Sequence, residues 1–395
     1  MTPASAAPIA LARERADEAP RRIAAARTEW KPLGKLDDDV RDAWKALAAH
    51  ALEPNVFYDP AFALAAAPVF GNPGAVLVWS KSGRLIGLFP ARFERRYGVM
   101  GALTGWIHPY APFGVPLVDR DEGDAAITGF LDHVEGVEKT PVMLPLIAAE
   151  GPFAAALSRV LLRRGGAIET YGAHARALLA PDSARKTYLD RALSPKKLKE
   201  LRRQRRRLLE HGLLKLTTAR EPDAIVPALS DYLRLEAAGW KGRAGTAARR
   251  HAPILNFMHD AVTALAVEGG ARVDRLIQDE RTLAATITLR VGDAAWLWKI
   301  AYNEAARRAS PGVQLTLDVT ESILAEPGIA RVDSCATADH PMIDHLWRER
   351  LALADFLIAP SAAAMPRFRF ARRLETLRRT LIAAAKRVRN LTTSS

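Results

Sequence analysis

Residues 296–315 read Trp-Leu-Trp-Lys-Ile-Ala-Tyr-Asn-Glu-Ala-Ala-Arg-Arg-Ala-Ser-Pro-Gly-Val-Gln-Leu, and this stretch decides the fold. Its first part, Trp296 to Tyr302, alternates and is rich in aromatic residues, which predicts a strand. Ser310 is the expected N-cap of a following helix, and Pro311 suits the first helical position. The helix is predicted to continue from Gly312. The stretch therefore predicts a strand that leads into a capped helix.

The start of this helix has the chemistry of an anion-binding site. Arg307 and Arg308 lie just before it in the sequence. The free N–H groups of the first helical turn and the positive end of the helix dipole both favour a negative ligand. An ordinary strand-to-helix connection is the alternative interpretation of the same turn.

Length and composition restrict the class of protein. A chain of 395 residues predicts two domains, and 49% hydrophobic with 26% charged residues is typical of a soluble globular protein. Cys335 is the one cysteine, so no disulfide framework can form within the chain. The sequence has no apolar run long enough for a membrane span, and its first thirty residues lack the apolar core of a secretion signal. We therefore expect a cytoplasmic protein.

The formal net charge of +13 is concentrated in two segments. Residues 185–207 contain eleven Lys or Arg and two acidic residues, and residues 367–389 contain nine Lys or Arg and one acidic residue. The rest of the chain is slightly acidic overall. This distribution disfavours a general polyanion-binding protein, so nucleic acid is an unfavoured but open partner.

The pattern of elements predicts four segments. Residues 1–35 are expected to be a flexible basic lead-in, and residues 36–182 a mixed α/β domain. Residues 185–360 form a second α/β series of helices, three strands, a helix and a further strand. The arginine-rich residues 361–395 read as an amphipathic helical tail suited to a membrane surface or an acidic partner.

Five landmarks of the second series occur in an order that resembles the GNAT acyltransferase fold. They are the basic helix Ser194–Gly212, the loop Trp240–Thr246, the run Lys299–Glu304, the turn Ser310–Gly312 and the late strand at Val332-Asp333. Within that fold, the chain is similar to the branch of cellulose- and exopolysaccharide-associated acetyltransferases, which is related to Fem-type aminoacyl transferases. The resemblance implies a mixed sheet in two tandem GNAT-like copies, of which the first is degenerate.

The resemblance implies an N-acyltransferase that uses an acyl-coenzyme A, acetyl-CoA in particular, as co-substrate. An acceptor amine, small or sugar-linked, would attack the thioester directly, and backbone N–H groups of the strand would polarise its carbonyl. No metal is implied. Pro311 lacks an N–H group, so the coenzyme phosphates would be bound by the remaining groups of the turn. These are Arg307, Arg308, Ser310, Gly312, Val313 and Gln314.

The reaction needs a base for the amine and can use an acid for the thiolate. Asp333 and His340 are the candidate bases, and Tyr302 is the candidate acid. For each of the three, a structural role is the alternative: a strand-end carboxylate, a capping histidine and a core tyrosine. Cys335 has no activating base at a defined spacing and is disfavoured as a nucleophile.

Four residues are candidates for contact with the acceptor: Trp240, Lys241, Thr246 and Lys299. Trp240 could instead be a packing anchor for its loop. Strand alternation predicts that Lys299 faces the side of the strand opposite to Trp298 and Tyr302. On that side it would pair with a substrate carboxylate or with a neighbouring acid.

Two other functions stay open at this point. A Fem-like enzyme would take an aminoacyl group from tRNA and would use the basic helix for binding. A non-catalytic GNAT scaffold would instead dock on a membrane or an acidic partner through its tail.

Overall fold

A computed structural model describes residues 27–95, 101–138, 140–181 and 185–392 of the chain. Within these ranges the elements fall into two successive series, each of which forms half of a mixed α/β structure. None of the helices described combines the length and the apolar content that crossing a membrane requires.

The first half contains seven strands and four α-helices. They are β1 (Arg27–Pro32), α1 (Asp38–Ala49), α2 (Pro60–Ala66), β2 (Gly74–Trp79), β3 (Leu85–Glu94), β4 (Ala102–Gly105), β5 (Leu117–Val118), α3 (Gly123–His133), β6 (Val142–Ala148), α4 (Pro152–Arg164) and β7 (Ala167–Leu179). The turn between β2 and β3 is the hairpin that Ser82-Gly83 predicts.

The second half contains six strands and seven α-helices. They are α5 (Tyr188–Ala192), α6 (Pro195–Leu209), β8 (Leu214–Ala219), α7 (Pro222–Ala238), α8 (Trp240–Arg243), α9 (Ala252–Val267), β9 (Ala271–Gln278), β10 (Arg281–Val291), β11 (Ala294–Tyr302), α10 (Pro311–Ala325), β12 (Arg331–Asp333), β13 (Glu349–Ala359) and α11 (Met365–Thr392).

The two halves repeat one order of elements. Leaving out the short strand β5 and the short helices α5 and α8, each half has a strand, two helices, three antiparallel strands, a helix and a further strand. That further strand pairs in parallel with the third strand of the meander, β6 with β4 and β12 with β11. The tandem arrangement is therefore present in the structure.

The halves share one sheet because they exchange strands. β13, from the second half, lies between β6 and β7 of the first half, and β7 in turn pairs with β12. A single large core, which includes Trp44, Phe130 and Trp298, continues through both halves. The boundary expected at residues 182–185 therefore does not separate two independent sheets.

The structure differs from three predictions about local structure. The lead-in predicted for residues 1–35 ends earlier, because Arg27–Pro32 is a strand paired with β2, while residues 1–26 lie outside the described ranges. Trp240–Arg243 of the predicted loop is a short helix. Ser310 has a left-handed backbone (φ +50°), and its side chain makes no capping bond. The helical tail is present as α11, and residues 393–395 lie outside the description.

Candidate functional site

Strand β11 contains a bulge in the part that the sequence singles out. Ile287 of β10 pairs with Lys299, but Thr288 pairs with Leu297, so Trp298 is an extra residue on β11. A bulge puts two successive side chains on one face of the strand. Lys299 therefore faces the same side as Trp298, and the ε-amino group of Lys299 is 5.5 Å from the centre of the Trp298 ring. The predicted alternation was wrong at this point, because the bulge breaks the two-residue period.

Strands β11 and β12 separate beyond the bulge. β12 pairs only with Ala294–Trp296, the first residues of β11. Within the described residues, the later part of β11 has β10 on one side and no strand on the other. The cleft between the two parallel strands thus opens towards Tyr302 and towards the start of α10.

The start of α10 offers two backbone donors. Pro311 has no N–H group, and the N–H of Gln314 already donates to the carbonyl of Ser310 at 3.1 Å. Gly312 and Val313 keep N–H groups that a helix of this kind cannot satisfy itself. The predicted coenzyme contact of Gln314 does not fit, because its side-chain Nε2 donates to the Leu201 carbonyl of α6 at 3.0 Å and is buried.

Exposed cations surround this helix start. Arg307 and Arg308 lie in the 3-10 turn Glu304–Ala309 that joins β11 to α10, and neither forms an ion pair with a described residue. On the other side, the Gln314–Leu201 bond holds α6 against α10. Arg205 of α6 pairs with Asp318 of α10 at 2.9 Å. The positive potential of the helix start is therefore reinforced by Arg307 and Arg308, whereas Asp318 neutralises the charge of Arg205.

Tyr302 lies at the mouth of the cleft. A Cβ atom added at Gly312 would be 3.2 Å from Cδ1 of Tyr302, so the tyrosine ring packs over the glycine. A cavity of about 1000 Å³ adjoins Tyr302, between α7 and the ends of β9, β10 and β11. Tyr302 thus lies between the start of α10 and this cavity.

Lys299 points into a half-buried site between the two halves. Its ε-amino group lies 4.2 Å from the centre of the Tyr110 ring, which belongs to the first half. No described acid pairs with Lys299. Burial, assisted by the charge of Lys241, lowers the pKa of Lys299 to about 8. Lys299 is therefore mostly charged at pH 7 and gives up its proton about one pH unit higher.

Glu236 of α7 does not neutralise Lys299, because its oxygens have other partners. Lys241 and the Tyr232 hydroxyl donate to Oε1 at 2.8 and 3.0 Å, and the N–H of Ala248 donates to Oε2 at 2.9 Å. These bonds to the carboxylate hold the pKa of Glu236 below its usual range, although burial opposes them. The predicted acceptor contact Lys241 is thus already in an ion pair.

The family model of the acetyltransferase (GNAT) domain matches residues 195–341. This range extends from the first residue of α6, through the bulge and the helix start, to the loop after β12. Residues 195–341 form a GNAT domain. No curated protein matches the whole chain significantly.

Solved structures share the fold over most of the chain. A conserved protein of unknown function from Bacteroides thetaiotaomicron is 12% identical with a TM-score of 0.54, and the match covers 84% of this chain and 99% of that one. FemX is 10% identical, with a TM-score of 0.53 over 80% and 95% of the two chains. L-PGS from Bacillus licheniformis is 13% identical, with a TM-score of 0.50 over 81% and 91%. At these identities the likeness shows the fold alone.

The loop Trp240–Thr246 of the GNAT domain is held by Glu304. One carboxylate oxygen accepts from the N–H of Trp240 at 2.7 Å, and the other accepts from Arg243 at 2.7 Å. The Trp240 side chain is 59% exposed, so it is not the packing anchor of its loop. Thr246 is also exposed, and its hydroxyl donates to the Lys241 carbonyl at 3.4 Å. The structure therefore places Trp240 beside the large cavity, which Glu304 and Arg243 line.

Neither candidate base of the GNAT domain has a free basic atom in the cleft. Asp333 is buried in a bidentate ion pair with Arg176 of β7, in which Nε donates to Oδ1 at 2.7 Å, and Oδ1 also accepts from the N–H of Cys335. The Nδ1 atom of His340 accepts from the N–H of Met342 at 3.3 Å and caps a 3-10 turn. Both residues therefore have the structural role that was the alternative for each.

Cys335 is an inert thiol in this environment. Burial and the neighbouring Asp333 carboxylate raise its pKa far above the usual value for cysteine, which keeps it protonated at neutral pH. The low expectation for Cys335 as a nucleophile is consistent with this surrounding.

The sequence analysis did not predict the residues from distant segments that contact Lys299, Asp333 and Lys241. Tyr110 and Arg176 belong to the first half, and Glu236 lies on α7, outside every quoted motif. The loop around His108 and Tyr110 is rich in Pro, Gly and aromatic residues, and this composition is the sequence feature that could have indicated its place in the site. Its proximity to β11 depends on tertiary packing.

The corresponding cleft of the first half is closed. A Cβ atom at Gly114 would lie 2.0 Å from the Pro145 carbonyl oxygen, so the loop after β4 packs directly on β6. Asn55 fixes this loop by donating to the carbonyls of Phe113 and Val115. The cleft of the first copy is thus filled by the protein's own loop, which agrees with the prediction that this copy is degenerate.

The turn that leads into α3 in the first half is held by a carboxylate of the chain. Asp119 accepts from the N–H groups of Asp121 and Glu122 and pairs with Arg84 at 3.2 Å. His50, Asp119 and Asp121 form the one grouping of possible metal ligands within the described ranges. The Arg84 cation beside Asp119 makes this a poor site for a metal ion.

Proposed function

We propose that the protein is an N-acyltransferase that uses acetyl-CoA and that its active site is the open cleft of the GNAT domain. The observation that carries the proposal is the bulged strand β11, which separates from β12 at the point where the start of α10 presents free N–H groups. This arrangement combines a place for a thioester with a place for phosphates. The first copy has the same two strands but a filled cleft.

The coenzyme phosphates would be bound at the start of α10. Gly312 and Val313 supply N–H groups, and Arg307 and Arg308 supply exposed charge that no described acid neutralises in an ion pair. The hydroxyl of Ser310 makes no bond to the helix and is available to the same ligand. Gly312 fits this role because a side chain there would meet the Tyr302 ring.

The acceptor amine would approach from the α7 side. The large cavity supports this direction, because Tyr302 lines it and also packs over Gly312 at the helix start. The exposed Trp240 is held by Glu304, which lines the same cavity. The amine nitrogen forms a bond to the carbonyl carbon, and the bond from that carbon to sulfur breaks. The amine loses one proton, and the departing thiolate gains one.

Lys299 is the residue best suited to take the proton. Its lowered pKa of about 8 gives a neutral fraction at physiological pH, and no described acid forms an ion pair with it, although the more distant Glu236 carboxylate favours the charged form. Tyr302 keeps the predicted role of acid for the thiolate, since its side chain is exposed at the mouth of the cleft. Asp333 would keep β7 and β12 together rather than move protons.

Isothermal titration with acetyl-CoA tests the proposal. We expect saturable binding with one site per chain, which the charge-reversed variant Arg307→Glu/Arg308→Glu weakens about tenfold or more. The variant Lys35→Glu/Lys81→Glu has the same change of charge at exposed sites of the first half and serves as the matched control. Equal losses in both variants would contradict a specific phosphate site.

An aminoacyl-tRNA donor is the second candidate, because α6 carries exposed cations beside the same site. Arg202, Arg203 and Arg206 are exposed and form no ion pair with described residues. The fold likeness to FemX is compatible with this donor but does not decide it. Binding of charged tRNA that falls steeply with salt and is lost in Arg202→Glu/Arg206→Glu, together with no binding of acetyl-CoA, would favour this candidate.

A further inference from the structure

Helix α11 is attached to the sheet by one face of its first half. Phe368 and Ala371 are buried against β7 and β13 in a small separate core. Glu375 is fully buried and accepts from Arg379 at 2.6 Å, and Arg379 also donates to Asp355 of β13 at 2.6 Å. This face accounts for the packing of α11 on the protein.

The opposite face of α11 carries a second apolar stripe. We use the name outer stripe for Phe370, Leu374, Leu377 and Leu381, which follow one another every third or fourth residue. Phe370, Leu377 and Leu381 are 48%, 56% and 61% exposed. Within the described residues no element covers the outer stripe, so it does not contribute to the core.

Basic side chains flank the outer stripe. Arg369 and Arg373 are exposed on its borders without an ion-pair partner in the described ranges. Arg378, the next cation along the helix, is paired with Glu375 at 3.3 Å. The one acidic residue between Arg367 and Arg389 is Glu375, which is buried on the docked face. The outward surface of α11 therefore combines exposed leucines with positive charge alone.

We propose that the outer stripe of α11 inserts into an anionic membrane surface and holds the protein there. A basic helix with one apolar face binds in the interfacial layer, where arginine side chains reach the lipid phosphates while leucine side chains enter the acyl region. A second copy of the chain is disfavoured as the partner, because two such helices would bring cations of the same sign together. This inference does not depend on the acyl donor.

Co-sedimentation with lipid vesicles tests the inference on the full-length protein. We expect binding to vesicles of equal parts phosphatidylglycerol and phosphatidylcholine, and little binding to pure phosphatidylcholine. The variant Leu377→Glu/Leu381→Glu should lose about tenfold or more in partitioning. The matched control Thr380→Glu/Ala383→Glu adds the same charge at exposed positions off the outer stripe and should retain most of the binding.

A fluorescence measurement gives an independent readout. Leu381→Trp places a reporter in the outer stripe, and its emission should shift to the blue with anionic vesicles only. Both glutamate variants should keep the circular dichroism spectrum and the melting temperature of the wild type, since all four positions are exposed. The inference is overturned if anionic vesicles do not bind, if the two double variants lose binding equally, or if the tryptophan emission does not move.

Discussion

At the scale of single residues, the bulge at Trp298 decides what Lys299 can do. It turns the side chain towards Tyr110, in a place where burial lowers the pKa to about 8. The neutral form, which can accept a proton, increases as pH rises through about 8. We therefore expect kcat/KM for amine acylation to rise through that pH and to level off above it.

The variant Lys299→Arg shows whether the rise of kcat/KM near pH 8 comes from deprotonation of Lys299 or of the acceptor amine. Arginine stays charged at every accessible pH, so activity should fall about 100-fold and the rise near pH 8 should disappear. Lys81→Arg, in an exposed hairpin turn, is the control. A profile of Lys299→Arg that still rises at the same pH would assign the titration to the acceptor. Nuclear magnetic resonance of isotopically methylated lysines would report the pKa of Lys299 directly.

The Arg176–Asp333 pair gives a prediction about stability. Both side chains are almost fully buried, so Arg176→Met leaves the Asp333 carboxylate without its counter-ion. We expect the free energy of unfolding to fall by about 3–5 kcal/mol, measured by urea denaturation. The double variant Arg176→Met/Asp333→Asn removes the charge, keeps an acceptor for the N–H of Cys335, and should recover part of the loss. A loss of less than about 1 kcal/mol in the single variant would be inconsistent with a pair that supports the cleft.

At the scale of elements, the local sequence predicts where strands and helices lie, but it does not predict how the strands pair. Trp296–Tyr302 and Pro311 mark β11 and α10 correctly, because aromatic alternation and proline at the first helical position are properties of the segment itself. The bulge at Trp298 leaves no local mark, because it arises from the register between β10 and β11. The left-handed conformation of Ser310 escaped prediction because serine before proline is also a normal N-cap. The strand and the helix start were thus predictable, whereas the separation of β11 from β12 and the orientation of Lys299 were not.

At the start of α10, ligand binding can be changed with little change in stability. Gly312→Glu adds a negative charge next to the positive end of the helix dipole and removes a glycine, and both changes stabilise the helix. The new Cβ lies 3.2 Å from the Tyr302 ring, which opposes this gain, so the melting temperature should change little. The same charge should weaken acetyl-CoA binding about tenfold or more by titration calorimetry.

Gly312→Gln separates the size of the new side chain from its charge. Its Cβ meets the Tyr302 ring at the same 3.2 Å, but it carries no charge. We expect a smaller loss of affinity than with glutamate. Equal affinities of the two variants would show that the Tyr302 ring, rather than repulsion of phosphate, limits binding.

At the scale of the whole molecule, the exchange of β7 and β13 joins two copies that the sequence treats as separate domains. β13 pairs along ten residues with β7 and also with β6, at a distance of roughly 200 residues along the chain. This pairing cannot be predicted from each segment separately, because the sequence of a strand does not specify which distant strand it pairs with. It follows that β6 and β7 lose the strand between them whenever the second half unfolds.

This coupling predicts one cooperative unfolding transition for both halves. Phe153→Ala, a fully buried position on α4 of the first half, should cost about 3–5 kcal/mol. With coupled halves, the open site of the second half should lose its ability to bind acetyl-CoA at the same lowered temperature at which the first half melts. Calorimetry should give equal calorimetric and van't Hoff enthalpies. If hydrogen exchange of β9 and β10 amides stayed at the wild-type rate while α4 amides exchanged faster, the halves would unfold independently, and the shared sheet would be a docking contact between two stable domains rather than a single folding unit.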